Sequence, residues 1–255
     1  MNAALAAELL KTRRSRLPAA TLLAFTIAAG FAALVMFILQ DVRRARELGL
    51  LGAKAALTGG AADWVTYFAL LAQLVAVGGT VLFGVVVVWT FGREFGQNTV
   101  KDLLALPVSR SSIVGAKFAV TAGWCLLLTL HTFLAGLALG AAVGLGGWSA
   151  GVVVAGLGKL VLTAIMTIAL TTPFALAASA GRGYLAGIAA LFAAVFSAQV
   201  VALLGYGAFF PWSVPALYAG LADPPGVPGF VLVAAVGVIG PVATALWWER
   251  ADHDR

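Results

Sequence analysis

The residues most able to do chemistry in this chain are concentrated between positions 91 and 118. The chain has 255 residues, of which sixteen are basic and ten are acidic. Six of these charged residues fall in this one segment, FGREFGQNTVKDLLALPVSRSSIVGAKF: Arg93, Glu94, Lys101, Asp102, Arg110 and Lys117. The chemistry that such a group offers is ionic pairing and docking to a partner.

Catalytic chemistry has few residues to carry it. No HExxH or CxxC motif and no pair of carboxylates within an apolar run is present, so a catalytic metal lacks its ligands. A serine nucleophile would need a base, and His131 is the one histidine in an apolar run. A lone imidazole in a helix bundle more often bonds to a neighbouring helix. GLGKL around Lys159 lacks the spacing of a phosphate-binding loop. We predict no catalytic site, metal or cofactor in this chain.

Composition places the protein in a membrane. The chain is 62% hydrophobic and 10% charged, whereas soluble domains are about 25% charged. About 20 apolar helical residues cross a bilayer, and six stretches qualify. They are residues 19–39, 64–91, 118–145, 160–180, 184–205 and 229–248. We predict an all-α integral membrane protein with six transmembrane helices, forming a single domain over residues 1–255.

Basic residues indicate the orientation. Eleven lysines and arginines fall on the side of the N-terminus and five on the other side. Basic residues favour the cytoplasmic side, so we predict a multi-pass protein of the cell membrane with both termini in the cytoplasm. The first outer loop contains as many basic residues as the N-terminal flank, so these two segments alone do not indicate an orientation. The net charge of +6 is then explained without nucleic acid. Trp64, Trp89, Trp247 and Trp248 near span ends are predicted to lie at the membrane interfaces.

Residues 92–117 form a predicted cytoplasmic loop between spans two and three. Asn98 is a candidate cap for a short helix, which would stop near Pro107. Val100, Leu103 and Leu104 would share one apolar face of that helix, and a second helix start is predicted between Ser109 and Ser112. A solvated connector would be shorter and more polar. We therefore favour a docking element for a partner that moves the two spans together.

Two further segments interrupt the pattern of spans. Residues 206–228 contain five prolines and one charge, Asp223, which suits an outer re-entrant segment better than a crossing or a solvated loop. Residues 1–17 contain the basic sequence ELLKTRRSR. This is either a short helix along the inner membrane surface or a frayed basic flank.

These segments resemble those of a known protein family. REFGQNTVKDLLALPVSRSSIVGAKF (93–118) resembles the cytoplasmic loop of ABC-2 type transporter permeases, in which an acidic residue precedes a Thr-x-Lys-x-x-Leu helix and a Pro-Val-Ser-Arg turn. GYGAFFPWSVPALYAG (205–220) is similar to the outer segment of the bacitracin-export and lantibiotic-immunity branch. The basic N-terminal segment also fits, and the order of segments is kept over nearly the whole chain.

The resemblance implies a coupling helix that docks in a groove of an ATP-hydrolysing partner. Glu94 matches the acidic position, and Ser109 and Lys117 match the turn and re-entry into span three. The implied coupling residues are Arg93, Glu94, Phe95, Thr99, Val100, Lys101, Leu103, Leu104, Pro107 and Arg110. The implied outer gate consists of Phe209, Phe210, Pro211, Trp212 and Pro215. Family permeases work in pairs with two ATPase subunits, which bind the ATP and magnesium.

The function expected from these observations is the permease subunit of an ABC exporter for an amphipathic compound. A peptide antibiotic, a lipid and a drug all remain open as cargo. The permease would be a homodimer in contact with membrane lipids, and would not itself be an enzyme. One alternative is a membrane scaffold or sensor that docks a partner other than an ATPase. Another is a lipid-modifying membrane enzyme that uses His131 or Glu94.

Overall fold

The computed structural model describes residues 2–50, 61–100, 102, 107–221 and 223–250. These residues are almost entirely helical, and no strand is found among them beyond an isolated bridge between Asp63 and Gly146. The helices are α1 (Asn2–Arg13), α2 (Leu17–Gln40), α3 (Val42–Glu47), α4 (Trp64–Gly96), α5 (Arg110–Val143), α6 (Ala150–Ala180), α7 (Tyr184–Leu203), α8 (Val214–Ala219) and α9 (Val227–Arg250), with 3-10 turns at Gly207–Phe209 and Pro211–Ser213.

The prediction of six membrane spans is confirmed. Helices α2, α4, α5, α6, α7 and α9 are long and apolar enough to cross a bilayer. Five of them are longer than predicted: α5 and α6 begin earlier, α4 begins as predicted but continues to Gly96, and α2 and α9 gain a few residues at their ends. The side chains of Asp63, Ser109 and Ser149 accept hydrogen bonds from the backbone N–H groups three residues further on, and so start α4, α5 and α6.

The loop after α4 is consequently shorter than the predicted 92–117. Helix α4 continues to Gly96 and α5 begins at Arg110, as the predicted start at Ser109 requires. Asn98 does not cap the following helix; it has a φ of 57° and ends α4. The N–H groups of Asn98 and Thr99 donate to the carbonyls of Phe95 and Glu94, which is the bonding pattern of a Schellman helix end. Val100 and Asp102 are helical, and the other residues of the predicted coupling helix lie outside the described part of the chain.

Helix α4 is the most buried of the six spans and packs chiefly against α6. Small residues allow the close approach that helix pairs in membranes need. A Cβ added at Gly156 of α6 would lie 2.5 Å from the ring of Phe68 in α4. Trp64 and Trp248, predicted as interface rings, are instead buried within the protein at 2% and 0% exposure. Trp64 packs against Phe68, and the indole N–H of Trp248 donates to Ser179 Oγ.

The chain ends that are described converge on one end of the bundle. Lys11 of α1 contacts Glu94 at the end of α4, and Arg110 at the start of α5 donates to the backbone carbonyls of Trp248 and Glu249 at the end of α9. We call this the loop end, because α4 ends and α5 begins there. At the opposite end, Gln40 donates to the carbonyl of Gly144. Six crossings with α1 and the end of α9 on the same side satisfy both sets of contacts.

Residues 206–221 form a compact segment between α7 and α9 that packs against α6 and α7. The indole N–H of Trp212 donates to the carbonyl of Leu170, and Ser213 Oγ donates to the carbonyl of Ala198. Pro215 is buried within α8, Phe210 and Pro211 are half-buried, and Phe209 is 64% exposed. The segment is therefore built of short helical turns packed on the spans; its re-entry into the membrane stays a prediction.

The contact between α4 and α6 yields a stability test. Gly156→Ala should lower the thermal stability of the detergent-purified protein, because Phe68 is 2% exposed and has little room to move. Overpacking of this kind costs about 1–3 kcal/mol. Gly158→Ala is the matched control, since a Cβ at Gly158 would meet no atom within 4 Å. Equal melting temperatures for the two variants would contradict the packing described here.

Candidate functional site

Glu94 lies at the centre of a buried ionic network at the loop end. It belongs to the last turn of α4 and is 2% exposed. Its Oε1 accepts hydrogen bonds from Lys11 Nζ at 2.8 Å and from Lys117 Nζ at 3.0 Å. Its Oε2 accepts from Thr99 Oγ1 at 2.7 Å. One carboxylate therefore joins α1, α4, α5 and the first residues of the loop.

Lys117 is the most enclosed member of the network. It lies two turns inside α5 and its residue exposure is 0%. Its Nζ donates to Glu94 Oε1 at 3.0 Å, to Glu8 Oε2 at 3.2 Å and to the carbonyl of Thr90 at 3.1 Å. An ammonium group has three N–H donors. Each of them has an acceptor here, two of which carry negative charge.

Helix α1 supplies the remaining charges by turning its polar face inward. Glu8 and Thr12 are buried, whereas Leu5 and Leu9 are exposed. These pairs are each four residues apart, so each forms a stripe along the helix. Lys11 bonds to Glu8 at 2.8 Å as well as to Glu94. Of the two alternatives for the N-terminal segment, the structure shows the helix, with Glu8 and Lys11 packed on the protein; its position along the membrane surface stays a prediction.

The network balances its charge. Glu8 and Glu94 face Lys11 and Lys117, so two carboxylates meet two ammonium groups. Burial alone would lower the pKa of Lys11, but hydrogen bonds to Glu8 and Glu94 and their negative charges outweigh burial and raise this pKa above its ordinary value. Lys11 therefore stabilises the folded state at and below the ordinary lysine pKa. This stabilisation is lost as the pH rises through the raised value.

The predicted coupling residues that the structure describes lie in different surroundings. Thr99 contacts the network directly, through Glu94 Oε2 and through its backbone N–H to the Glu94 carbonyl. Phe95 packs edge-on against Trp247 and Trp248 of α9. Val100 is buried and Pro107 is exposed. The three others predicted to dock, Lys101, Leu103 and Leu104, lie outside the described residues.

Arg93 does not pair with Glu94, although the two are adjacent in the sequence. Its guanidinium lies over the ring of Trp89, with Cζ 4.6 Å from the ring centroid. Successive residues of a helix point about 100° apart, so Arg93 and Glu94 face different neighbours. The ionic partners of Glu94 are Lys11 and Lys117.

The two residues considered for catalysis are engaged separately. His131 Nε2 lies 2.8 Å from Thr26 Oγ1, in a hydrogen bond between α5 and α2. This confirms the prediction that His131 bonds a neighbouring helix. The rise of a helix places His131 about 20 Å along α5 from Lys117, the partner of Glu94. The histidine and the carboxylate do not converge on one site.

Six apolar helices and a charged network at one end define a multi-pass membrane protein. Residues 4–199 match the family described as ABC-2 family transporter protein. This chain belongs to that family. It is 29% identical over 179 residues to the bacitracin transport permease protein BCRB of Bacillus licheniformis, an alignment that covers 68% of this chain and 85% of the relative. The resemblance to the bacitracin-export branch of ABC-2 permeases is thereby confirmed.

The balance of charge predicts how the network responds to substitution. Lys117→Met should destabilise the protein by about 3–5 kcal/mol, because it leaves two buried carboxylates with the single ammonium group of Lys11. Adding Glu94→Gln to Lys117→Met should restore about 1 kcal/mol or more of the lost free energy of unfolding, since contacting residues are coupled by about 0.5–3 kcal/mol. Thermal unfolding in detergent measures both effects.

The control is Lys159→Met, which removes a lysine of α6 that forms no ion pair within the described part of the chain. It should cost less than Lys117→Met. A double variant as unstable as the sum of its two single variants would show that Lys117 and Glu94 do not compensate each other.

Proposed function

We propose that this protein is the permease subunit of an ABC exporter that moves an amphipathic compound with the energy of ATP hydrolysed by a separate subunit. Membership of the ABC-2 family supports the transport role. The observation that carries the proposal further is the bond from Thr99 to Glu94, the hub of the buried network. It attaches the first residues of the predicted coupling helix to three helices of the bundle.

The network can act as a rigid joint between a partner and the spans. Its four charged members are 27% exposed or less at the side chain, so water screens their attraction weakly. A partner that pulls on residues 100–106 would displace α4 through Thr99 and Glu94. Lys117 would carry the same displacement to α5, and Lys11 to α1. Movement at the loop end would thus reach the membrane spans together.

The exposed face of α7 supports a second copy of the chain. Phe192, Phe196 and Gln199 are spaced four and three residues apart, so they share one face of α7, and all three are exposed. A glutamine that faces hydrocarbon has no hydrogen-bond partner there. We propose that α7 faces the other permease of a homodimer along the cargo path, and that two ATPase subunits complete the complex with their own ATP and magnesium.

The cargo and the orientation follow from the same proposal. The name of the Bacillus licheniformis relative makes bacitracin the first compound to test. The loop end would lie in the cytoplasm, where an ATPase has access to it, and the excess of basic residues on that side agrees. The segment 206–228 would then face outward as a gate. Phe209 and Phe210 at its edge offer apolar contacts to an amphipathic cargo.

Two sets of substitutions separate docking from coupling. Leu103→Asp with Leu104→Asp should abolish co-purification with the cognate ATPase while the permease still dimerises, because charge replaces the predicted apolar docking face. Glu94→Gln should leave the complex assembled but reduce transport per ATP hydrolysed by about fivefold or more, the scale of a typical coupling free energy. Paired transport and hydrolysis assays in proteoliposomes measure this ratio.

Glu249→Gln provides the matched control, since it removes an exposed carboxylate at the same end of the bundle but outside the network. Its transport per ATP should stay at the wild-type value. Unchanged association in the double leucine variant would show that this loop is not the docking element. An unchanged transport ratio in Glu94→Gln would show that the network does not transmit the movement.

A further inference from the structure

A basic pocket of about 420 Å³ opens beside the ionic network at the loop end. It lies between α1 and the last turns of α4, where Lys11, Arg14 and Arg93 line it together with Trp89 and Leu10. The lining contains three basic side chains and no carboxylate within the part of the chain that the structure describes. The function proposed above makes no use of this pocket.

The positive charge of the pocket is uncompensated. The ammonium of Lys11 is neutralised because it contacts both Glu8 and Glu94. Arg14 and Arg93 form no ion pair with any described residue. Two arginine charges therefore face one cavity without a carboxylate from the described residues, and both would attract an anion bound there.

Contact with Trp89 holds the Arg93 guanidinium where it could bind an anion. Its guanidinium stacks on Trp89 at 4.6 Å, and its Nε and Nη1 are buried without a hydrogen-bond partner among the described residues. Buried donors that lack partners are rare and costly. Contact with the indole holds the guanidinium at the wall of the pocket. A fixed guanidinium is well suited to a phosphate group.

The apolar walls of the pocket indicate that the phosphate belongs to a lipid. Trp89 covers one side of the pocket and Leu10, which is 49% exposed, covers another. A hydrated inorganic ion gains little from an indole ring and a leucine, whereas the glycerol and upper acyl carbons of a lipid bury apolar surface against them. The pocket also lies at the end of one predicted span, α4, where that helix would reach the lipid headgroups. Basic pockets between helices at this level bind anionic headgroups.

We propose that this pocket binds the phosphate of an anionic phospholipid, with Arg93 and Arg14 as its charged contacts and Trp89 and Leu10 as its apolar walls. The bound lipid would be anchored on α1 and α4, the same two helices that Lys11 and Glu94 join. The lipid would thus brace the network from its membrane side. The inference does not depend on the identity of the cargo or of the ATPase.

Lipid titration followed by native mass spectrometry tests the proposal on the full-length protein in detergent. Wild-type protein should bind phosphatidylglycerol at least about tenfold more tightly than phosphatidylcholine, as expected for two arginines contacting one anion. Arg93→Gln and Arg14→Gln should each weaken phosphatidylglycerol binding by about fivefold to tenfold and leave phosphatidylcholine binding unchanged. Arg14 is exposed, so its variant carries the test even if Arg93→Gln folds poorly.

Arg16→Gln is the matched control, because Arg16 lies at the same end of the bundle and outside the pocket. It should change phosphatidylglycerol binding less than about twofold, since an exposed charge outside the pocket makes no direct contact. An equal loss in Arg16→Gln would overturn the proposal by showing general attraction to the basic end. Equal affinity of the wild type for the two lipids would overturn it too. Displacement of phosphatidylglycerol by millimolar inorganic phosphate or glycerol 3-phosphate would identify a free phosphate as the ligand and refute the lipid assignment.

Discussion

A buried carboxylate at the end of a membrane helix is stable only beside an opposite charge, and Glu94 meets this constraint by holding two lysines. Removing ions from water costs several kcal/mol each unless close partners and hydrogen bonds compensate them. Lys117 supplies one partner from α5 and Lys11 supplies the other from α1. The N-terminal helix is therefore part of the bundle rather than a loose flank, and its leucines are left to face outward.

This arrangement links the mechanical parts of the molecule at one end. Thr99 attaches the loop to Glu94, while Arg110 attaches the start of α5 to the last turn of α9. Phe95 packs against the tryptophans of that same turn. The helix ends are thus connected to one another by polar and aromatic contacts, and the apolar contacts continue above them between α4 and α6. In the function proposed here, these contacts form the joint through which a partner at the loop end would move the spans.

The sequence predicted the six-span architecture and part of the buried ionic network. Long apolar runs predicted six spans, because the bilayer imposes helix length and composition directly. The resemblance of the loop singled out Glu94, Thr99, Arg110 and Lys117, and the structure places Glu94, Thr99 and Lys117 in one network. The pairing of Glu94 with Lys11 could not be predicted, since it spans 83 positions and depends on how α1 packs. The spacing of Glu8 and Lys11 was a usable signal: a carboxylate and a lysine three residues apart share a helix face. Asn98 was misread because asparagine both caps helix starts and adopts the left-handed conformation at helix ends.

We propose that the Thr99–Glu94 hydrogen bond carries movement from the partner to the spans. It is tested most directly by measuring transported molecules per ATP for Thr99→Ser and Thr99→Val in proteoliposomes with the cognate ATPase. Serine keeps the hydroxyl that donates to Glu94 Oε2, whereas valine keeps the shape and removes the donor. We expect the number of molecules transported per ATP to stay near the wild-type value in Thr99→Ser. In Thr99→Val we expect it to fall by about fivefold or more. Equal ratios for the two variants, with the complex intact in both, would contradict it.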